Sequence, residues 1–314
     1  MRSILAIDNQ LVFQESEIPQ ISGTQCLVKV AYAGVNRADL LQKQGLYPPP
    51  KGESNILGLE FSGEIVEVGE DVIDFSKGDL VCSIVGSGAY AEYLKVEHTH
   101  LIRVPGNLDL EQAAALPEAF VTAYQSLVFL SDLQKDESIL IHAGASGVGA
   151  AAIQMAKSIG AKVIVTASGG KHEFCYDLGA DQCINYKEVE FDEVSPKVDV
   201  VLDLIGGSYF QGNINVLAVE GRMVMLGFLG GVKANEPNIA GIVTKRLRIE
   251  GSTLRARDTR YKAELIGGFV DRFLANDNFP FRTNVDKVFD FQETKAAHSY
   301  MEQNKNRGKI LIKM

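Results

Sequence analysis

Over roughly the first hundred residues the apolar positions fall in short β-branched runs bounded by glycine or polar residues. Positions 26–33, 63–69 and 79–85 show this pattern, which predicts strands. Only 37–44 has helical spacing in this stretch. Tyr47-Pro48-Pro49-Pro50-Lys51-Gly52 must be a rigid extended loop, because consecutive prolines admit neither a helix nor an internal strand. From about Leu110 the rhythm changes. A long helical pattern covers 111–130, and strand-like segments at 138–142, 162–166, 182–185, 199–204, 222–226 and 248–252 then alternate with helical ones at 148–159, 171–178 and 209–217. That alternation predicts the parallel sheet of a doubly wound α/β domain, assigned to 114–257. A helix from 259 to about 275, a strand near 285–289, a helix over 292–301 and a last strand at 309–313 are expected to return and complete the first domain, 1–113 with 258–314. No internal repeat or low-complexity linker interrupts the chain.

Composition narrows the class. At 314 residues, 46% hydrophobic and 23% charged, the chain has the balance of a globular protein with room for two domains. The net charge of −9 argues against nucleic acid as the main partner. No apolar run reaches the roughly 18 residues of a membrane span, and Asp8 interrupts the N-terminus before a signal-peptide core could form. A cytoplasmic location follows as the expectation. Cys26, Cys82, Cys175 and Cys183 are scattered, without metal-finger spacing, and are expected to be reduced.

The strongest local signal is Ile139-Leu140-Ile141-His142-Ala143-Gly144-Ala145-Ser146-Gly147-Val148-Gly149, a strand, a glycine-rich turn and a helix start. In such a turn Gly144 would permit the tight bend, Gly147 would let the backbone approach a pyrophosphate, and Gly149 would let the helix pack closely on the strand. Ser146 stands where the strict fingerprint has its middle glycine, and a packing turn without a phosphate is the competing reading. After the second strand comes Ser168-Gly169-Gly170-Lys171, with no acid to hold ribose hydroxyls. Ser168 and Lys171 suit a 2′-phosphate, so the residues favour NADPH over NADH, although Lys171 could equally be a solvated lysine on a first helical turn.

Several motifs resemble the medium-chain dehydrogenase/reductase superfamily. They are Asn36-Arg37-Ala38-Asp39, Ile56-Leu57-Gly58-Leu59-Glu60-Phe61-Ser62-Gly63, Gly78-Asp79, Pro117-Glu118-Ala119 and the glycine turn. Their order matches along nearly the whole chain. Within that superfamily the chain resembles the quinone oxidoreductases, most closely the tumour-suppressor-inducible NADPH quinone oxidoreductase subgroup, through 36–60, 117–149 and 303–310. The resemblance implies a GroES-like β-barrel domain, a Rossmann domain, a cleft where they meet and homodimers paired through Rossmann-sheet edges. It also implies cofactor contacts at Asn36, Thr122, Gly144, Ser146, Gly147, Val148, Gly149, Ser168, Lys171, Tyr186, Gly206, Leu226, Gly227, Phe228 and Asn304. Zinc-dependent members carry a cysteine near the Asn36 position and a histidine at the Leu59 position. Leucine cannot ligate zinc, and no metal site is expected.

Without a Lewis acid, an already electrophilic acceptor is the natural substrate: a quinone or enone takes hydride from nicotinamide C4, and hydrogen-bond donors meet the developing oxyanion. The candidate catalytic residues are Asn36 and Tyr47. Asn36 could instead only start the short helix at Arg37, Tyr47 could be a packing lid aromatic, Tyr186 could lie on the surface, and Asn304 could cap a turn. Zinc-independent NADPH-dependent quinone reduction in the interdomain cleft is thus the expected activity. Reduction of a conjugated C=C bond in an alkenal, enone or enoyl thioester is the first alternative, and an NADPH-binding sensor or structural protein the second. The arginines from 246 to 260 are expected to form a solvated or salt-bridged basic face.

Overall fold

The computed structural model describes residues 1–314. The chain divides into two compact units, Met1–Val121 with Leu254–Met314, and Thr122–Thr253. The sequence placed these divisions at 113/114 and 257/258.

The first unit begins with a hairpin, β1 (Arg2–Ile7) and β2 (Gln10–Glu15), that sequence periodicity did not single out. Its two-residue loop has φ of 48° at Asp8 and 62° at Asn9. Asp and Asn tolerate this left-handed pair, which matches the twist of the flanking strands. The main sheet contains β3 (Gln25–Val35), β4 (Glu60–Val68), β5 (Leu80–Ile84), β6 (Tyr93–Glu97) and β7 (Ile102–Arg103). Alternate side chains of β3 and β4 turn inward, so Val28, Phe61 and Ile65 pack with Ile4, Tyr90, Ile310 and Ile312 in one core.

The second unit holds β8 (Ser138–Ile141), β9 (Lys162–Ala167), β10 (Gln182–Asn185), β11 (Val198–Asp203), β12 (Leu217–Met225) and β13 (Arg248–Gly251), in the order β10-β9-β8-β11-β12-β13. Every pairing is parallel. The continuous apolar runs Ile139–Ile141 and Val163–Val165 are fully buried, as strands covered on both faces require. The chain order reverses beside β8, and in open parallel sheets ligands bind outside the carboxyl ends of the strands at such a switch point. Returning to the first unit, β14 (Val285–Asp290) and β15 (Lys309–Lys313) pair in parallel, and β15 joins β3 antiparallel through Ile310 opposite Val35.

Two elements differ from the sequence pattern. The long helix expected over 111–130 is broken: Leu110–Ala114 stops at Ala115, and Pro117, which has no amide to donate, opens a new stretch. Pro117–Val121 and Gln125–Leu130 wind with wider π-type turns. β12 starts at Leu217, five residues before the expected Arg222, because Val216 ends the preceding helix without a capping turn. The short helices Phe191–Val194 and Ala240–Thr244 had too little length to show a period.

Arg222 on β12 grips Glu137 just before β8 with two bonds, Nη1 to Oε1 at 2.7 Å and Nη2 to Oε2 at 2.6 Å. Burial pushes the Glu137 carboxyl up, but the Arg222 guanidinium and the Gln134 amide outweigh it and hold the pKa below the ordinary value. A group with a depressed folded pKa contributes stability above its unfolded pKa and loses it as pH falls through the folded one. Glu137→Gln should therefore cost about 1.5–3 kcal/mol near pH 7 by denaturant unfolding, and the difference from the parent should vanish toward and below about pH 4.

Candidate functional site

In the second unit the turn after β8 is built by steric necessity. The positive φ falls on Ala143 (52°), so the tight bend assigned to Gly144 belongs to its neighbour. Gly144 instead keeps the turn against β9, since a Cβ there would lie 2.8 Å from Val165 Cβ. A Cβ on Gly149 would overlap the Ala143 carbonyl oxygen, so this glycine does let the helix Gly147–Ile159 approach the turn. Ser146 caps that helix, its Oγ accepting the Gly149 amide at 3.0 Å. The Gly147 and Val148 amides then lie in the first turn with no intrahelical acceptor, the arrangement that receives a phosphate.

A buried network fixes the ground beneath this turn. His142 lies between Thr166 Oγ1 (Nδ1, 3.0 Å) and Asn213 Oδ1 (Nε2, 2.7 Å), flanked by the Phe191 and Tyr209 rings. Burial lowers its pKa to about 4, so the ring is neutral and ties β8 to β9 and to the helix Phe210–Val216. At the end of β11, Asp203 Oδ1 accepts the amides of Ile205 (2.7 Å) and Gly206 (3.0 Å). Gly206 has φ 80° and sits where a Cβ would meet Gly227 O at 2.9 Å and Phe228 Cα at 3.0 Å. Gly206, Met225 and the exposed Phe228 line a hollow of about 210 Å³.

Of the residues expected around a cofactor, the structure brings Gly206, Leu226, Gly227 and Phe228 together at the ends of β11 and β12. Ser168 and Lys171 follow β9, and Tyr186 follows the adjacent β10, 46% exposed. Ser168 and Lys171 share a turn closed by the Lys171 amide on the Ser168 carbonyl. Thr122 is buried, and its Oγ1 has no hydrogen-bond partner. The residues therefore fit a dinucleotide: capped first-turn amides, two close backbone approaches and an unanswered buried hydroxyl.

In the first unit Asn36 is locked. Its Nδ2 donates to Glu60 Oε1 at 2.8 Å, Lys309 Nζ donates to its Oδ1 at 2.7 Å, and its amide donates to Asp39 Oδ2 at 2.7 Å. Lys309 and Glu60 form a direct ion pair, 4% and 0% exposed, and Glu60 Oε2 accepts the Glu118 amide at 2.8 Å. Burial raises the Asp39 pKa to about 6, against the bonds from Asn36 and Tyr90. Burial and then the Glu60 charge raise that of the half-buried Glu118 to about 7.

Tyr47 is half-buried on its proline loop and held by Arg255, whose Nη1 donates to the Tyr47 carbonyl at 2.9 Å. The same guanidinium bonds Gly86 O at 2.6 Å and Gln42 Oε1 at 2.5 Å and lies 5.0 Å from the Tyr47 ring centroid. The expected basic face is corrected at this residue, which is 7% exposed and spent inside the unit. Arg246 does pair with Glu220 on the surface, at 2.9 Å. Asn304 is exposed with φ 53° in the turn after the helix Thr294–Glu302, and its Oδ1 accepts from Arg37 at 2.6 Å, which ties that turn to the helix Arg37–Lys43. Sequence reasoning missed Lys309, Arg255 and the His142 network, whose roles arise from contacts far apart in the chain. No three His, Cys, Asp or Glu side chains gather closely enough to hold a metal ion.

The chain is similar to known proteins along most of its length. Residues 22–106 match the alcohol dehydrogenase GroES-like domain and residues 147–267 the zinc-binding dehydrogenase family. The chain is 32% identical to the human synaptic vesicle membrane protein VAT-1 homolog, covering 92% of this chain and 78% of that protein. It is 30% identical to quinone oxidoreductase-like protein 2 of Bos taurus, covering 97% and 89%. The Escherichia coli quinone oxidoreductase complexed with NADPH superposes with a TM-score of 0.86 at 26% identity, over 100% of this chain and 99% of that one. The CurK enoyl reductase does so at 0.86 and 27%, with the same coverage.

Lys309→Met leaves the Glu60 carboxylate buried without its cation, which should cost about 3–5 kcal/mol in urea unfolding. Removing the orphaned charge as well, in Lys309→Met with Glu60→Gln, should recover much of that loss.

Proposed function

The chain belongs to the medium-chain dehydrogenase/reductase superfamily, with quinone oxidoreductase-like relatives, and from that premise we propose that it is a zinc-independent, NADPH-dependent reductase of quinones. Its two-part architecture is that of the superfamily, and its class of chemistry is oxidoreduction with a nicotinamide cofactor. The observation that carries the finer reading is Tyr47: a hydroxyl on a loop stiffened by three prolines and clamped by a buried arginine, beside Glu118 rather than beside metal ligands. The position that holds a zinc-ligating histidine in zinc-dependent members is Leu59, which has no lone pair to give.

A bound nicotinamide dinucleotide would supply hydride from C4. The residues of this chain would do the rest. The Gly147 and Val148 amides and Ser146 would receive the pyrophosphate, Thr122 Oγ1 would find its partner, and Ser168 and Lys171 would take the 2′-phosphate. Gly206 and Leu226 to Phe228 would flank the far half of the cofactor. Asn36, its amide plane fixed by Lys309 and Glu60, keeps one Nδ2 hydrogen for the nicotinamide side. Tyr47 would donate to the acceptor oxygen and hold it in line, so that positioning supplies much of the rate.

Turnover of ortho- and para-quinones, alkenals and an enoyl-CoA, followed by NADPH absorbance with EDTA present, tests this reading. Fast, EDTA-insensitive quinone reduction with NADPH preferred supports it, and turnover of only a conjugated aldehyde or thioester sinks it. That second reading, a double-bond reductase, is favoured by the likeness to the CurK enoyl reductase. Binding without any turnover would leave a sensor. A homodimer and a cytoplasmic location belong to the same proposal, with the edge strand β13 as the surface that pairing would use.

Two substitutions read the proposal directly. Ser168→Asp puts a carboxylate where the 2′-phosphate would lie, and the NADPH over NADH preference in kcat/KM should fall by about 10- to 100-fold. Arg255→Met releases the Tyr47 loop without touching the cofactor turn; kcat/KM for quinone should drop by about 100-fold while the Kd for NADPH stays within about twofold.

A further inference from the structure

Most buried polar groups of the first unit are committed to one another. Lys262 is among those that are not. It lies in the first turns of the helix Thr259–Phe273, only 7% exposed, and its ammonium makes no ion pair or hydrogen bond. Position and burial both disfavour a cation there, since a helix N-terminus repels positive charge and the packed stem leaves the ammonium only partly hydrated. A cation at such a place, without a protein partner, is open to another use.

The surroundings of Lys262 indicate that use. Burial lowers its pKa below that of an ordinary lysine, and Arg255 pushes the same way, while Glu53, Glu118 and Asp258 oppose them. His100, on the other side, is bonded to the Thr259 carbonyl at 3.1 Å and also feels the Lys262 charge. Tyr47 shares Arg255 and Glu118 as its charged neighbours. Arg255 has given its guanidinium to Gly86, Tyr47 and Gln42. The Tyr47 hydroxyl, the Glu118 carboxyl and the Lys262 ammonium have given theirs to nothing. Arg255 thus brings the proline loop and the segment leading into this helix together, and the groups left uncommitted are a phenol, a carboxyl that titrates near neutrality and an ammonium.

We propose that Lys262 is a catalytic residue for acceptor reduction, its ammonium holding the acceptor oxygen that becomes anionic and giving it a proton. The inference rests on the reductase reading above. Hydride adds two electrons to the quinone, which becomes the hydroquinone monoanion as the nicotinamide is oxidised. The Nζ–H bond then breaks as the O–H bond forms, giving neutral hydroquinone and a neutral amine that is reprotonated from water. The lowered lysine pKa makes this donor stronger than a solvated lysine, and Glu118 and Glu53 keep it charged before the step.

The test uses the full chain as Lys262→Met, Lys262→Arg and Tyr47→Phe, with NADPH and a quinone. Lys262→Met should lower kcat by about 100-fold with the NADPH Kd, read by cofactor fluorescence, within about twofold. In the parent, kcat should fall as pH rises through the lysine pKa, because the active form is protonated. That alkaline limb should persist in Tyr47→Phe and be absent from Lys262→Arg, whose guanidinium does not titrate there. Should Lys262→Met fail to fold, the limb in Lys262→Arg decides. A parent that reduces quinone while Lys262→Met keeps kcat within about twofold, or while Lys262→Arg keeps the limb, overturns the role of Lys262 and leaves the reductase standing. A parent that reduces no acceptor overturns both.

Discussion

The ion pair between Glu60 and Lys309 is the constraint on which the first unit depends. Two opposite charges are buried there, separated by 249 positions in sequence. Burying them is costly unless the remaining lone pairs and protons are answered, and here most are: Glu60 also takes the Asn36 side chain and the Glu118 amide, and Lys309 also donates to Asn36. β4, β15, the start of the helix Arg37–Lys43 and the turn at Glu118 are thereby held at one point. Gly34 is part of the same arrangement, because a Cβ there would overlap Glu60 Oε1. The carboxylate lies where a side chain of β3 would otherwise be. Asn36 inherits its orientation from this pair, so the amide proposed to face the nicotinamide is fixed by groups that need never touch it.

The second unit uses a neutral device for the same purpose. His142 could in principle carry charge, but its burial keeps the ring uncharged across the physiological range, against the pull of the bond to Asn213. Its hydrogen bonds fix the start of the glycine turn without placing a cation beneath it. The turn itself is then determined by close approach: Gly144 against Val165, Gly149 against Ala143, and a serine that satisfies one amide and leaves two. The positive backbone angle at Ala143 is held by the packing on both sides.

The sequence made the parallel sheet legible because its strands are buried on both faces and read as unbroken apolar runs, and the glycine turn legible because its parts are contiguous. The β1–β2 hairpin was overlooked although Asp8-Asn9 is a turn signal. Its partial burial gives no clean alternation, with Leu11 inward and Phe13 at the rim. The break at Ala115 was hidden because the run from Ala113 to Leu116 continues a helical composition up to the proline. At the site, Asn36, Tyr47 and Thr122 could be named from local motifs. Arg255 could not be separated from its neighbours Arg257 and Arg260 by any local pattern. Its burial follows from reaching Gly86, Tyr47 and Gln42, contacts that span 169 to 213 positions. Lys262 and Lys309 present the same difficulty, since a single lysine in an otherwise ordinary segment reads as a solvated one.

A division among polar groups follows from the whole arrangement. Asn36, Glu60, Lys309, Arg255 and His142 each have two or more hydrogen bonds within the protein, and that geometry makes a frame that cannot readily shift. Thr122 Oγ1, the Tyr47 hydroxyl, the Glu118 carboxyl and the Lys262 ammonium do not. Leaving such groups unanswered in partly desolvated surroundings costs stability that an apolar residue of similar shape would not. The cost is borne at a few positions, two of them anchored through their backbone to the frame, Tyr47 by Arg255 and Glu118 by Glu60, while the Ser126 hydroxyl bonds the Thr122 carbonyl. Groups that need a partner and are held by groups that do not are pre-organised for a ligand, because binding then requires little movement and gains the hydrogen bonds that folding left unmade.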